Sequence, residues 1–180
     1  MTTRSRRIFN ASLHTDETAF AAALPDFDAN RVVIYFMPSF GHFEGQTHDL
    51  GTKIGVLFGV DRMAGEKNVN PGVIVAHELY HIYQYESHPN FKTSDLVLWE
   101  AIWGEGSAAY ASQMLTPGAS EAQALDEKLA AAPSSVVQQL ACGIESHWSQ
   151  HTDEIFADYF DAGESPPGLP QWADTSSDTS

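Results

Sequence analysis

Residues 73–86, VIVAHELYHIYQYE, set two histidines and a glutamate inside a stretch that is otherwise largely apolar. Asn70 and Pro71 precede it and suit a helix N-cap and first turn. The segment therefore predicts a helix running to about Tyr85. On a helix His77 and His81 are four residues apart and project from one face. Val73, Ile74, Val75, Leu79, Ile82 and Tyr83 turn that helix inward, and polar side chains buried there are costly unless something satisfies them. A metal ion reached by both imidazoles is such a partner. Zinc fits the pair, because it takes nitrogen ligands at about 2.0–2.1 Å in tetrahedral geometry. Glu78 follows the first histidine directly and points elsewhere on the helix. There it can meet a metal-activated water as a general base without being a ligand. The competing reading is a core helix with two hydrogen-bonded histidines and no metal.

A catalytic zinc takes three protein ligands and keeps one position open. The downstream segment LWEAIWGEGSAAYAS, residues 98–112, offers Glu100 and Glu105. Five residues apart, the two do not share one helical face. HExxH followed by a glutamate on a later helix resembles the gluzincin metallopeptidases, and most closely small bacterial predicted zinc proteases. In many gluzincins the third ligand lies in the pattern E-G-x-A-x-Y, which Glu105-Gly106-Ser107-Ala108-Ala109-Tyr110 matches in full. The aminopeptidase branch instead places its ligand 18 residues after the second histidine; residues 82–99 make up that spacing and point to Glu100. The local motif outweighs the count, since a loop between two helices changes length without moving the site.

The resemblance thus implies a zinc ion held by His77, His81 and Glu105, Glu78 as general base, and a peptide or protein substrate. It covers residues 31–115. Gly104 and Gly106 bracket Glu105. Glycine in a helix costs up to about 1 kcal/mol relative to alanine, which close packing of this turn on the metal helix would explain. Tyr110 is a candidate for stabilising the oxyanion, against the plainer role of an inward core aromatic. Gluzincins also carry an edge strand above the cleft, and Lys53 to Asp61 holds the matching place in chain order. Two departures stand out. Ala109 occupies the position where thermolysin-like enzymes carry an Asp, and the GAMEN-like motif of the aminopeptidases is absent, so exopeptidase activity is not implied. The alternative function is a zinc-binding structural or interaction module without turnover.

The rest of the chain predicts the α+β class: a short sheet followed by a mainly helical, zinc-binding part, zincin-like in the resemblance. Thr15 suits the cap of a short helix ending at Pro25, after a loose residue 1–14 segment. RVVIYFM, Arg31 to Met37, reads as a buried strand. Pro38 to Thr52 reads as a loop. Lys53 to Asp61 reads as a second strand whose Gly55 and Gly59 suggest bulges or close backbone approach. Helices follow within Asp95–Leu115, from a Ser120/Gln123 capping box, and from Ser135/Gln138, with a restart near Thr152. The expected organisation is one domain over residues 1–162 and a disordered acidic tail over 163–180.

The 180 residues carry a net charge of −15, which opposes binding to nucleic-acid phosphate and to anionic membranes. With Cys142 as the only cysteine, neither an intramolecular disulfide nor a Cys-rich zinc finger is possible. No apolar run is long enough to span a bilayer. A cytoplasmic protein is the simplest reading, and an exported one without its signal would look alike. Oligomeric state is not written in the sequence. His42 and His48 are expected in a loop near the cleft, Trp99 and Trp103 in the core, Cys142 buried, and His147 and His151 as a further exposed i, i+4 pair.

Overall fold

The computed structural model describes residues 20–152 apart from 25, 44, 66–69, 93–94 and 126, together with 155 and 159. The cap at Thr15 and the tail from Gly163 lie outside the described residues; residues 20–23 are helical. The chain divides into two compact units, residues 1–89 with 105–130, and residues 90–104 with 131–180.

The first unit holds a three-stranded mixed sheet in the order β1-β3-β2. Strand β1 is Val32–Met37, β2 is Gly45–Asp49 and β3 is Ile54–Gly59. β1 runs parallel to β3, with Val32 opposite Ile54. β2 runs antiparallel to β3, with Gly45 opposite Phe58 and Asp49 opposite Ile54. This corrects two expectations. The strand expected at the edge, β3, is central, and the edge strand lies inside the segment expected as a loop. Gly-Gln-Thr-His-Asp has no apolar residue to betray a strand. It is one because its backbone pairs with the buried β3 and because a tight hairpin returns the chain. In that hairpin Gly51 takes a φ of 85° and donates its N–H to Asp49 Oδ1 at 2.7 Å.

Both registers run unbroken, so the glycines of β3 mark close approach and not bulges. A Cβ at Gly59 would lie 2.1 Å from the Phe43 carbonyl oxygen. β1 is only half-buried at its start and exposed from Tyr35 to Met37, contrary to the buried strand expected.

Helix α1, Val60–Gly65, begins where β3 ends. Its Asp61 accepts the N–H groups of Ser39 (2.6 Å) and Gly41 (3.0 Å) and the Ser39 hydroxyl (3.0 Å). Helix α2, Pro71–Ser87, starts as expected, with Asn70 Oδ1 accepting the Gly72 N–H at 3.1 Å. Alternation along β3 turns Ile54, Val56 and Phe58 to one face. They share a core with Val75, Leu79 and Ile82 of α2, spaced i, i+4, i+7 as an inward helical stripe requires. Each such side chain contributes about 1.5–3 kcal/mol when fully buried. The core thus fixes α2 against the sheet, and with it the histidines.

Helix α3, Leu98–Leu115, belongs to the second unit up to Gly104 and to the first from Glu105 onward. In the first unit α4 (Glu121–Leu125) and α5 (Glu127–Ala130) follow. The Ser120 N–H donates to Gln123 Oε1 at 3.0 Å, one half of the expected capping box.

In the second unit, α6 spans Ser134–His147. Its cap is Pro133 without a side-chain hydrogen bond. The helix starts two residues early, leaving Ser135 in the first turn and unable to cap. Trp99 and Trp103 are exposed rather than in the core, and Trp99 stacks on Trp148 at 6.3 Å. Cys142 is exposed as well. His147 and His151 form no helical pair, because α6 ends at His147. His147 Nδ1 lies 2.9 Å from the Tyr159 hydroxyl, while His151 pairs with Asp95 at 2.7 Å. Among the described residues no helix is long and apolar enough to cross a membrane.

Candidate metal centre

The three candidate ligands read from the sequence converge in the first unit. His77 Nε2 and His81 Nε2 are 3.0 Å apart, and Glu105 Oε2 lies 3.2 Å from the first and 3.5 Å from the second. The two rings meet edge to face at 4.7 Å. A tetrahedral zinc with bonds of about 2.0–2.1 Å needs ligand atoms about 3.3–3.4 Å apart. The observed spacings bracket that value, and the donor set of two imidazoles and a carboxylate is one zinc accepts. His81 is buried, whereas the Glu105 side chain is 55% exposed. The cluster is therefore anchored on the core side and open at Glu105.

Charge ties the cluster together. Burial alone would raise the Glu105 carboxyl, but hydrogen bonds and charge from His77 and His81 hold it well below the usual range. Burial alone would lower His81, yet the hydrogen bond and charge of Glu105, with the charge of Glu78, lift it. The two shifts describe one carboxylate serving two imidazoles.

Glu78 lies in a different setting. Burial pushes its carboxyl up, against the pull of His77, His81 and a hydrogen bond from Thr47. Thr47 Oγ1 donates to Glu78 Oε2 at 3.0 Å. A Cβ at Gly45 would stand 2.5 Å from Glu78 Oε1 and 2.8 Å from Cδ. Only a residue without a side chain lets the carboxyl lie against the strand there. Gly45 and Thr47 are two apart, so both present the same face of β2. Neither was singled out from sequence, since the signal, a Gly-x-Thr on an apolar-free strand, is faint. Tyr85 was also missed, although it stands four residues past His81 and on the same helical face. Its ring stacks on His81 at 5.9 Å and 14°, and burial, Glu105 and Glu78 push its phenol up.

Other candidates are placed differently. Glu100 lies in the second unit and accepts the Val97 N–H at 3.1 Å, closing the first turn of α3. Tyr110 is 66% exposed, so it is not an inward core aromatic. It stands about 140° around the helix from Glu105, and α3 does not aim the two side chains at one point. A Cβ at Gly106 would meet nothing within 4 Å, so tight packing does not account for that glycine. His48 lies on β2, not in a loop, and its Nε2 is 3.2 Å from Gln46 Oε1. His42 is exposed.

A family model described as "Putative zinc dependent peptidase (DUF5700)" matches residues 28–157. The chain belongs to this family. The DUF5700 match spans every residue of the cluster and the strand that carries Gly45 and Thr47. Its description names zinc and a hydrolase, in keeping with a His77–His81–Glu105 group able to hold a metal ion. No curated protein and no solved structure matches the chain.

Proposed function

We propose that this DUF5700 chain is a zinc-dependent peptidase in which His77, His81 and Glu105 hold the ion and Glu78 is the general base. The observation that carries the reading is the convergence of three ligand atoms within 3.0–3.5 Å of one another, beside a carboxyl that stays out of the cluster. Zinc held there would supply Lewis acidity, which makes water acidic near neutral pH and polarises a carbonyl. Glu78 takes the proton of the attacking water and returns it to the leaving amine nitrogen. A carboxyl raised by burial is a better acceptor near neutral pH than an ordinary one. Thr47 holds one of its oxygens, and Gly45 leaves room for the other.

The substrate is a peptide in extended form. Among the described residues β2 pairs with β3 on one side only, and a strand's free edge offers N–H and C=O groups to a peptide. The free edge belongs to the strand that touches Glu78, so a peptide laid along it passes the base. A purely structural zinc site would take four protein ligands, and among the described residues the candidate group has three.

The test is cleavage of an unfolded protein substrate by the purified chain. Cleavage should stop on chelation and return with one equivalent of zinc. A chain that binds one zinc tightly, unfolds when it is stripped and cuts nothing would point to the structural module instead.

A further inference from the structure

The metal helix carries two buried polar atoms without a hydrogen-bond partner among the described residues: His81 Nδ1 and Gln84 Oε1. One can donate and the other can accept, and buried polar groups left unpaired are rare in folded proteins. They lie three residues apart on α2, where side chains are neighbours. Both residues are nearly inaccessible, at 8% for His81 and 4% for Gln84, so bulk water is a poor substitute.

The orientation of the glutamine is fixed from its other end. Gln84 Nε2 donates to Ser107 Oγ at 3.1 Å. Ser107 lies two residues after Glu105, on the helix that supplies the third ligand. With the amino group held by Ser107, the amide oxygen is left as an acceptor. The histidine's needs are complementary. His81 Nε2 faces His77 Nε2 and Glu105 Oε2, and a metal-bound nitrogen must present a lone pair. The ring proton then sits on Nδ1, where it requires an acceptor. Metal-bound histidines almost always donate that second N–H to a fixed oxygen.

We propose that Gln84 is a positioning residue for the metal centre: its amide oxygen, aimed by Ser107, accepts the Nδ1–H of His81 and holds that imidazole in the tautomer that binds zinc. This rests on the zinc reading above. It adds that the glutamine three residues past HExxH links the histidine helix to the ligand helix through one amide.

The experiment measures zinc affinity by competition with a chromophoric chelator, for wild type, Gln84→Leu, Gln84→Glu and Ser107→Ala. The zinc-loaded His81 ring is followed in parallel by long-range proton–nitrogen NMR. Gln84→Leu should weaken zinc binding about 10–100-fold. Gln84→Glu keeps an acceptor and should bind within about threefold of wild type, the conservative rescue implied by charge-assisted acceptance. Ser107→Ala, which only frees the amide, should fall between them. His81 should carry its proton on Nδ1, slow to exchange in wild type and Gln84→Glu and fast in Gln84→Leu.

Equal affinity in Gln84→Leu and wild type would overturn the proposal, as would a loss in Gln84→Glu as large as in Gln84→Leu. The latter result would mean the amide acts as a donor. Should Gln84→Leu fail to fold, Gln84→Glu and Ser107→Ala still decide. Absence of zinc binding by wild type itself would remove the zinc reading together with this inference, whereas tight wild-type binding with indifferent Gln84 variants removes the inference alone.

Discussion

Glu78 and Glu105 flank the same two imidazoles, yet their surroundings differ in almost every respect. Glu78 is tucked under β2, with a glycine against its carboxyl and one threonine hydroxyl on Oε2. Glu105 sits on a helix with its side chain half exposed and one oxygen shared between His77 and His81. Burial drives the first carboxyl up, and paired imidazoles drive the second down. Two like groups pushed apart in this way are suited to different chemical tasks. The lowered one stays an anion and suits a cation. The raised one accepts and releases a proton more readily near neutral pH.

The comparison breaks most easily on the ligand side. Glu105→Ala should weaken zinc binding by more than the 10–100-fold lost when a group that merely supports a ligand is removed. Glu100→Ala should leave zinc binding unchanged and cost about 1 kcal/mol of stability, the usual size of a lost helix-terminal hydrogen bond. Chelator competition and thermal melts on both variants check this, and zinc loss in Glu100→Ala would reverse the assignment.

On the base side, Gly45→Ala introduces a methyl within 2.5 Å of Glu78 Oε1. The carboxyl must shift, and displacements of about 1 Å at a reacting group cost about 100-fold in rate. The expected result is a drop in kcat of that order with zinc affinity retained. Thr47→Val removes the hydroxyl donated to Glu78 at nearly constant shape. A hydrogen bond to a charged group contributes about 1.5–3 kcal/mol, or about 10- to 150-fold, and a loss in kcat at the lower end of that range is expected, smaller than for Gly45→Ala.

Asp61 provides a reference carboxylate held by backbone N–H groups and a hydroxyl. The Ser39 N–H, working against some desolvation and helped by the Ser39 hydroxyl and the N–H groups of Asp61 and Gly41, brings it to about 2, from an ordinary 3.8. A depressed folded-state value means that its stabilising contribution is present above pH 3.8 and is lost as pH falls towards 2. Acid unfolding curves of wild type and Asp61→Asn should therefore differ near neutral pH and converge in that window. The side chain is exposed, so this is the smallest of the effects.

The sequence made the helix of the site legible because strong local signals agreed there. Asn70 caps, Pro71 opens, and the apolar positions fall at helical spacing. Glu105 was legible through a local motif, against a spacing count that favoured Glu100. The sheet was legible only where its side chains are apolar. β3 reads as a strand but not as the central one, and β2 reads as a loop. A strand made of Gly, Gln, Thr, His and Asp owes its form to backbone pairing with a neighbour, and single-sequence patterns do not carry that information. Gly45 and Thr47 were lost with it. Trp99, Trp103, Tyr110 and Cys142 erred the other way. Apolar or aromatic character suggested burial, yet all four are exposed, as a good part of any folded surface is apolar.

The division of labour between the two carboxylates is tested most directly by Glu78→Gln, with zinc content and peptide cleavage measured on the same sample. The expected result is one zinc per chain, bound within a few-fold of wild-type affinity, and turnover lower by about 100- to 10,000-fold, the range for loss of a general base. Loss of the zinc together with the activity would make Glu78 a ligand, and full turnover with glutamine in its place would mean that the base lies elsewhere.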